Sequence, residues 1–331
     1  DGLISMALAN EHAETLTITV EDSSIPVTTT SADITFSDNS FIITDTDGNI
    51  AGDNIVVAGR GHSYQIQMVR KDNACGPATG YSGAKSLKLW RSKNTDDPST
   101  NQPQLANTLP VVGNTLPDAD PGAANGSITF SNGIANVSLA TTDIGKFRIE
   151  LADISNTFSD QTIAGTSFEQ IVRPFGIGID FSNLRDADVA NGGLNGSDLD
   201  TSYATAAQGL SGTIFAQAGV GFSVTVEGVL HQSGDDNNDD GIPDDDSNGD
   251  GILDDPAYLG DNTAAPSFGQ EAGAEKASVT LTVSSAAPGS DGNITGDFFN
   301  SFTLGSQTST MTYDNAGIMA LTAISSDYFS T

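Results

Sequence analysis

The chain has 331 residues, which is enough for two or three domains of ordinary size. Asp and Glu total 43 against 12 Lys and Arg, and the net charge of −31 repels nucleic acid and anionic lipid, so we expect neither as a partner. A single cysteine, Cys75, excludes a disulfide framework within the chain: it is either a buried free thiol or half of a bridge to a partner elsewhere. No run of 18 apolar residues is present, so we expect no direct membrane insertion.

Short runs that alternate apolar and polar residues follow one another along the chain. Each run is about five residues long and is bounded by Gly, Asn, Asp or Ser, which is typical of half-buried antiparallel strands. Together with the 36 glycines and the lack of long runs of helix formers, these runs predict an all-β fold. The clearest runs carry their apolar residues at Leu16, Ile18 and Val20, at Phe147, Ile149 and Leu151, at Phe222, Val224 and Val226, and at Val279, Leu281 and Val283.

An internal repeat predicts the domain edges. Residues 2–22 align with residues 133–153 at one constant offset, and a looser third copy begins at Tyr313. Each copy reads as strand, polar turn, strand, and resembles the last two strands of a sandwich. The predicted divisions are the closing hairpin of a truncated or strand-donating module (1–30), one β-sandwich (31–172) and a second β-sandwich (173–331).

The first of these divisions cannot be stable alone. An isolated hairpin is marginally stable in water, so residues 1–30 must pack on the following module or donate strands to another chain. Within the two sandwiches, residues 92–125 and 183–213 read as long polar loops, and loops of this length are often functional.

An acidic insert at residues 234–256 carries the strongest chemical signal. The pattern Asp-x-Asn-x-Asp-Gly-Ile occurs twice, ten residues apart, beginning at Asp236 and at Asp246. Calcium prefers six to eight oxygen ligands, which alternate side chains of a tight loop can supply. The Gly allows a sharp turn, and the Ile offers its carbonyl oxygen while its side chain can turn toward a core. The predicted calcium ligands are Asp236, Asn238, Asp240, Ile242 and Asp244, then Asp246, Asn248, Asp250, Ile252 and Asp254, with Asp246 or Asp255 completing a shell.

The insert departs from a helical EF-hand. Ser247 and Ala257 stand where a bidentate Glu would be needed, and Pro243 argues against an exiting helix. The pattern resembles the helix-free calcium repeats of thrombospondin type 3 modules and the loop of dockerins. The alternative is a solvated acidic linker. We expect calcium to stiffen a loop and not to serve catalysis, because no base, nucleophile or redox centre is signalled nearby.

Other candidate residues carry weaker signals. The three histidines, His12, His62 and His231, are far apart and show no metal-ligand spacing, so we expect structural or surface roles. The segment from Asp45 to Asn49 reads as a β-turn, with a further cation site as the alternative. Trp90 is expected on the inner face of its strand, which disfavours an aromatic platform for carbohydrate.

Several segments resemble known bacterial families. Residues 13–20 (AETLTITV) resemble the final strand of invasin/intimin-type Ig-like domains. Four further segments, 172–176 (VRPFG), 218–226 (AGVGFSVTV), 260–269 (GDNTAAPSFG) and 313–323 (YDNAGIMALTA), resemble MshQ-type proteins of the MSHA type IV pilus system. The resemblance implies immunoglobulin-like modules in a large secreted protein associated with pili or adhesion, and it supplies no catalytic residue.

These observations predict tandem immunoglobulin-like β-sandwich modules with long polar loops. The predicted function is that of a non-enzymatic extracellular protein of the bacterial surface, a pilus-associated adhesin or stalk stabilised by calcium. Its expected partners are other modules or subunits of a pilus or surface assembly, or host or surface glycans. The alternative is a subunit of an extracellular filament, a homopolymer held by β-strand complementation. A carbohydrate-binding module is a weaker third hypothesis.

Overall fold

A computed structural model of the chain describes most of both predicted sandwiches, and the statements below concern the described residues. These are residues 15–22, 27–31, 34–35, 39–47, 54–70, 76–105, 115–156, 162–180, 218–236, 238–243, 259–260, 262–272, 275–286, 292–315 and 318–325. They form 21 β-strands and contain no α-helix, which confirms the predicted all-β class. Cys75 and the predicted loop 183–213 lie outside the described residues.

Four short strands form a two-stranded ribbon at the beginning of the described chain. They are β1 (Thr15–Leu16), β2 (Thr19–Asp22), β3 (Val27–Thr30) and β4 (Ile34–Thr35). Strand β1 pairs with β4 and β2 pairs with β3, both antiparallel, and Ser31 N donates to Ile18 O at 2.8 Å between the two pairs. Among the described residues, these four strands pair only with one another.

The first sandwich contains ten strands. They are β5 (Asn39–Asp45), β6 (Ile55–Val57), β7 (Gly61–Arg70), β8 (Gly83–Lys93), β9 (Gln104–Leu105), β10 (Gly126–Phe130), β11 (Ile134–Ala140), β12 (Gly145–Asp153), β13 (Ile163–Thr166) and β14 (Gln170–Arg173). One sheet has the order β10-β8-β12-β14-β6, with β13 also on β12, and the other has the order β5-β7-β11-β9. Aromatic rings from both sheets meet in the core, where the Phe41 and Phe130 centroids lie 5.9 Å apart.

The second sandwich contains seven strands. They are β15 (Gly176–Asp180), β16 (Phe222–Val229), β17 (Val279–Ala286), β18 (Ile294–Thr295), β19 (Phe298–Phe299), β20 (Ser306–Tyr313) and β21 (Ile318–Ser325). The sheets have the orders β15-β16-β20-β18 and β19-β17-β21. Val226, Met311 and Leu281 are fully buried between them. One continuous apolar cluster joins this core to that of the first sandwich.

Three of the four predicted alternating runs lie as expected. The apolar residues of the runs in β12 and β16 are buried, as are Val279 and Leu281 in β17. The run in the ribbon differs, because Val20 has 49% of its surface exposed, and Thr17 and Thr19 of the same run are exposed too. An alternating pattern gives a half-buried strand only where another layer covers one face.

The repeat and the long loop are partly as predicted. The second copy of the repeat forms strands β11 and β12, but these belong to different sheets, and β13 and β14 follow them in the same sandwich. In the predicted loop 92–125, the described part after β8 contains only the two-residue strand β9. The module boundaries at residues 30 and 172 stay predictions.

Candidate metal centre

The first repeat of the acidic insert forms a compact turn whose side chains bind its own backbone. Asp236 is buried, and its Oδ1 accepts a hydrogen bond from Asp240 N at 2.9 Å while its Oδ2 accepts one from Gly241 N at 2.9 Å. Asn238 Oδ1 accepts from Asp240 N at 3.0 Å, and Asp240 Oδ1 accepts from Ile242 N at 2.8 Å. The side chains at alternate positions 236, 238 and 240 are therefore turned toward the loop.

Two residues of the turn have left-handed backbone conformations. Gly241 has φ of 78°, which is the conformation for which a glycine was expected at the sixth position. Asp239 has φ of 57°, a region that Asp tolerates better than most residues. Because Asp239 lies between the alternate positions, its carboxylate is free to contact the first sandwich.

His231 lies beside the turn, although its sequence spacing gave no reason to expect a ligand group. Its Nε2 is 3.0 Å from Asp236 Oδ2. His231, Asp236 and Asp239 each offer one potential ligand atom, and these atoms all lie within 4.8 Å of one another. Calcium prefers oxygen ligands, so an imidazole here is better suited to orienting Asp236 than to binding that ion. The sequence feature that could have identified His231 is its position, five residues before the motif and shortly after an alternating strand.

The other predicted ligands are only partly placed. The expectation that the Ile242 side chain turns toward a core is wrong, because Ile242 is 52% exposed, and the role of its carbonyl oxygen as a ligand stays a prediction. The side chain that contacts the second sandwich is instead that of Pro243, since a Cβ added at Gly176 would lie 3.1 Å from Pro243 Cγ. The remaining predicted ligands lie outside the described residues: Asp244, Asp246, Asn248, Asp250, Ile252, Asp254 and Asp255.

Both ends of the acidic segment return to the same strand. The hypothetical Cβ at Gly176 would meet Leu259 Cδ1 as well as Pro243, and a Cβ at Gly178 would lie 2.6 Å from Leu259 O. Pro243 and Leu259, the described residues on either side of 244–258, therefore both contact β15 of the second sandwich. This places the base of the insert next to the link between the sandwiches, since β15 follows β14 after Pro174 and Phe175.

Arg60, in the turn after β6 of the first sandwich, reaches across to the acidic turn. Its side chain is 4% exposed, and its guanidinium binds carboxylates of both sandwiches. Nη1 lies 2.8 Å from Asp47 Oδ2, Nε lies 2.8 Å from Asp239 Oδ1, and Nη2 donates to Asp239 O at 2.6 Å. Burial alone would lower the pKa of Arg60, but the hydrogen bonds to Asp47 and Asp239 outweigh it and raise the pKa.

A second guanidinium holds the next part of the turn. Arg173, the last residue of β14, donates from Nη2 to Gly241 O at 2.9 Å. Burial lowers the pKa of Arg173, and the carboxylates of Asp240 and Asp236 oppose this only in part. Two arginines of the first sandwich thus contact two nearby peptide groups of the acidic turn.

The backbones of the two sandwiches also meet beside the turn. His231 N donates to Ala58 O at 2.8 Å, and the His231 ring packs edge-on against Phe175 with centroids 4.9 Å apart. Gly59 has φ of 90°, and a Cβ added there would lie 2.8 Å from His231 N. Only glycine satisfies both the backbone conformation and this close approach.

Farther along the junction, a buried carboxylate joins the sandwiches again. Asp143, between β11 and β12, accepts hydrogen bonds from Ser267 N at 2.9 Å and from Ser267 Oγ at 2.7 Å. Thr100 N also donates to Asp143, at 3.1 Å. Lys146 Nζ lies 3.7 Å from Glu275 Oε2. The two sandwiches therefore contact each other at several separate points.

Two further candidates from the sequence have structural partners. Of the predicted turn at Asp45–Asn49, only residues 45–47 are described, and there Asp47 N donates to Asp45 Oδ1 at 2.9 Å. Asp47 also binds Arg60, and buried His62 lies 2.8 Å from Asp45. The expected inner position of Trp90 is wrong. Its indole lies on the face of β8 that carries Lys88, whose ammonium is 5.4 Å from the ring centroid, because the alternation places Leu89 on the core side.

Among the described residues, no helix is long and apolar enough to cross a membrane. A search of curated protein sequences found no match. Several solved structures resemble the chain weakly, and two of the three described here are adhesins. The Yersinia pseudotuberculosis adhesin InvE is 11% identical, with 87% of this chain and 58% of that one covered and a TM-score of 0.30.

The other two structures are equally distant. The D0-D1 domain of intimin is 12% identical, with 86% of this chain and 89% of that one covered and a TM-score of 0.21. FdeC, an Escherichia coli adhesin, is 12% identical, with 94% and 69% covered and a TM-score of 0.26. Scores this low carry no argument about function.

Two family matches cover most of the chain and agree with its two sandwiches. Residues 17–166 match the first Ig-like domain of the family described as "Domain of unknown function (DUF6701)". Residues 193–312 match the second domain of the same family. Strands β5 to β13 lie within the first range, and β16 to β19 lie within the second together with all but the last residue of β20. With consecutive domains of one family in the expected order, the chain belongs to the DUF6701 family.

Proposed function

We propose that this chain is a calcium-stabilised part of an extracellular bacterial surface protein, acting as an adhesin or as the stalk that presents one. The observation that carries the proposal is the acidic turn at residues 236–243, whose alternate side chains face the loop and whose outer side contacts the neighbouring sandwich. A cation bound there would stabilise the place where two modules meet. A stalk needs such joints to be stiff.

The charge of the chain supports the same proposal. A net charge of −31 opposes compaction, and much of it is concentrated in the acidic insert. Bound divalent cations would remove this self-repulsion locally, and their binding free energy would add to the stability of the folded state. Hard oxygen groups at alternate positions suit calcium better than magnesium, which tolerates irregular shells poorly.

The pilus association, the partners and the non-enzymatic role belong to the same proposal. The resemblance to MshQ-type proteins suggests association with a type IV pilus, with other subunits of that assembly or surface glycans as partners. We propose a non-enzymatic role because the first family match is to an Ig-like domain, and neither the resemblance nor the sequence supplies a catalytic motif. The contacts between the sandwiches suit a protein that presents a binding surface, because they hold the two modules in one arrangement.

A thermal melt with and without a calcium chelator tests the cation. Saturating calcium at one hundred times its Kd adds about 2.7 kcal/mol to the free energy of unfolding, so we expect the midpoint to fall by several degrees on chelation. Asp240→Asn keeps the oxygen that accepts from Ile242 N but removes a charge, and should reduce the calcium effect. Asp297→Asn, outside the turn, is the matched control. A midpoint indifferent to calcium would remove the metal from this proposal.

A filament subunit is the second candidate, and the N-terminal ribbon favours it. The ribbon strands β1 to β4 pair only with one another among the described residues, and the described side chains of residues 17–21 and 28–31 are mostly exposed. Such a ribbon could extend a sheet of a second copy. Light scattering coupled to size-exclusion chromatography separates the candidates: a concentration-independent monomer argues against the filament, and head-to-tail polymers argue for it.

A further inference from the structure

The contacts of Arg60 go beyond what an ordinary surface ion pair would need. The side chain is almost completely buried, and its three nitrogen atoms each have an acceptor. One acceptor, Asp47, belongs to the first sandwich, and the other two are the carboxylate and the carbonyl oxygen of Asp239 in the second. A guanidinium with this planar arrangement fixes the direction of its partners as well as neutralising them.

The position of Asp239 makes these contacts relevant to the acidic turn. Asp239 lies between Asn238 and Asp240, the two alternate positions whose side chains face the loop. Arg60 binds the side chain and the main chain of this intervening residue and so holds it in its left-handed conformation. The direction of the neighbouring oxygen atoms depends on that backbone conformation. Arg173 extends the same support to Gly241 O.

We propose that Arg60 is a positioning residue for the calcium loop, so that cation binding and the contact between the two sandwiches stabilise each other. This inference rests on the proposed calcium site. Coupling of this kind is reciprocal: whatever Arg60 adds to calcium affinity, calcium adds to the strength of the inter-module contact. The ion would therefore set how firmly the two modules are held.

The sign of the effect of Arg60 on calcium affinity tests the inference. If Arg60 acted only through its charge, removing a cation beside the carboxylates would reduce repulsion and tighten calcium binding. If Arg60 positions the loop, Arg60→Ala should instead weaken binding, by about tenfold for a coupling of ordinary size. The measurement is isothermal titration of the full chain with calcium chloride at a temperature where circular dichroism shows the variant folded.

A conservative variant and a control complete the titration. Arg60→Lys keeps the charge but loses the forked contact, so it should also bind calcium more weakly than the native chain, and it carries the test if Arg60→Ala does not fold. Arg148→Ala removes the same charge from β12, where Arg148 donates to Ser167 O in the first sandwich. We expect the affinity of that control to equal the native value.

The reciprocal effect has its own readout. In a Cys75→Ser background, spin labels at Thr129→Cys and Thr310→Cys report the distance between the sandwiches. When Arg60 is present, calcium should narrow the distribution of distances between the two spin labels. When Arg60→Ala is added to the same labelled protein, the distribution should stay broad in calcium. Native-like or tighter calcium binding by both Arg60 variants overturns the positioning role while leaving the calcium site intact. A native chain that binds no calcium in the titration overturns the site and the positioning role together.

Discussion

The junction between the sandwiches and the N-terminal ribbon contain similar residues but differ in what surrounds them. In β16, next to the junction, Val226 is fully buried within an alternating strand. In the ribbon, Val20 belongs to an equally regular alternation and remains 49% exposed. The junction adds buried charges with satisfied partners, whereas the ribbon strands pair only with one another among the described residues. Strand propensity is thus common to both regions, and stability comes from the layers that cover a strand.

The largest expected effect comes from Gly59→Ala at the junction. Alanine would be strained at φ of 90°, and its Cβ would approach His231 N to 2.8 Å, so we expect a loss of about 3–4 kcal/mol in the free energy of unfolding. Gly83→Ala is the matched control, since Gly83 has φ of 83° but no atom within 4 Å of an added Cβ. It should lose about 1 kcal/mol from backbone strain. Equal losses in denaturant titrations would mean that the approach of the sandwiches contributes nothing.

A smaller effect is expected from one substitution made in both regions. Val226→Thr places a hydroxyl in the closed core of the second sandwich and should cost about 2 kcal/mol. Val20→Thr makes the same change in the ribbon, where water can solvate the hydroxyl, and should stay within about 0.5 kcal/mol. Chemical denaturation of both variants checks the difference. A large loss from Val20→Thr would show that the ribbon packs against another surface, as the filament candidate requires.

The fold class could be predicted because its signal is local. Alternation in residues 147–151 and 222–226 repeats every two residues, and a β-strand has the same period, so the pattern identifies strands and their inner faces. The parallel pairing of β6 with β14, which are more than a hundred residues apart, produces no local sequence pattern of this kind. The burial of Val20 was mispredicted for the same reason, since the pattern does not say whether a second layer exists.

The candidate site shows the same division between local and long-range signals. The spacing of Asp236, Asn238 and Asp240 predicted a turn with its side chains directed at the loop, because that geometry depends on neighbours in sequence. Arg60 and Arg173 could not be predicted from spacing. Each reaches the turn only through the docking of one sandwich against the other, 179 residues away in sequence in the case of Arg60 and Asp239.

The smallest of the expected effects tests whether the far side of the junction also matters. Ser267→Ala removes a hydroxyl that donates to the buried carboxylate of Asp143 at 2.7 Å, and we expect a loss of about 1.5 kcal/mol, the lower end of what hydrogen bonds to charged groups contribute. Thr225→Val removes a hydroxyl from an exposed pair with Thr308, whose oxygens are 2.8 Å apart, and should change stability by less than about 0.5 kcal/mol. Calorimetry of the two variants gives the comparison. If Ser267→Ala were as mild as Thr225→Val, this buried hydrogen bond would contribute no more than an exposed one, and the contact between the sandwiches would depend more on the acidic turn and its two arginines.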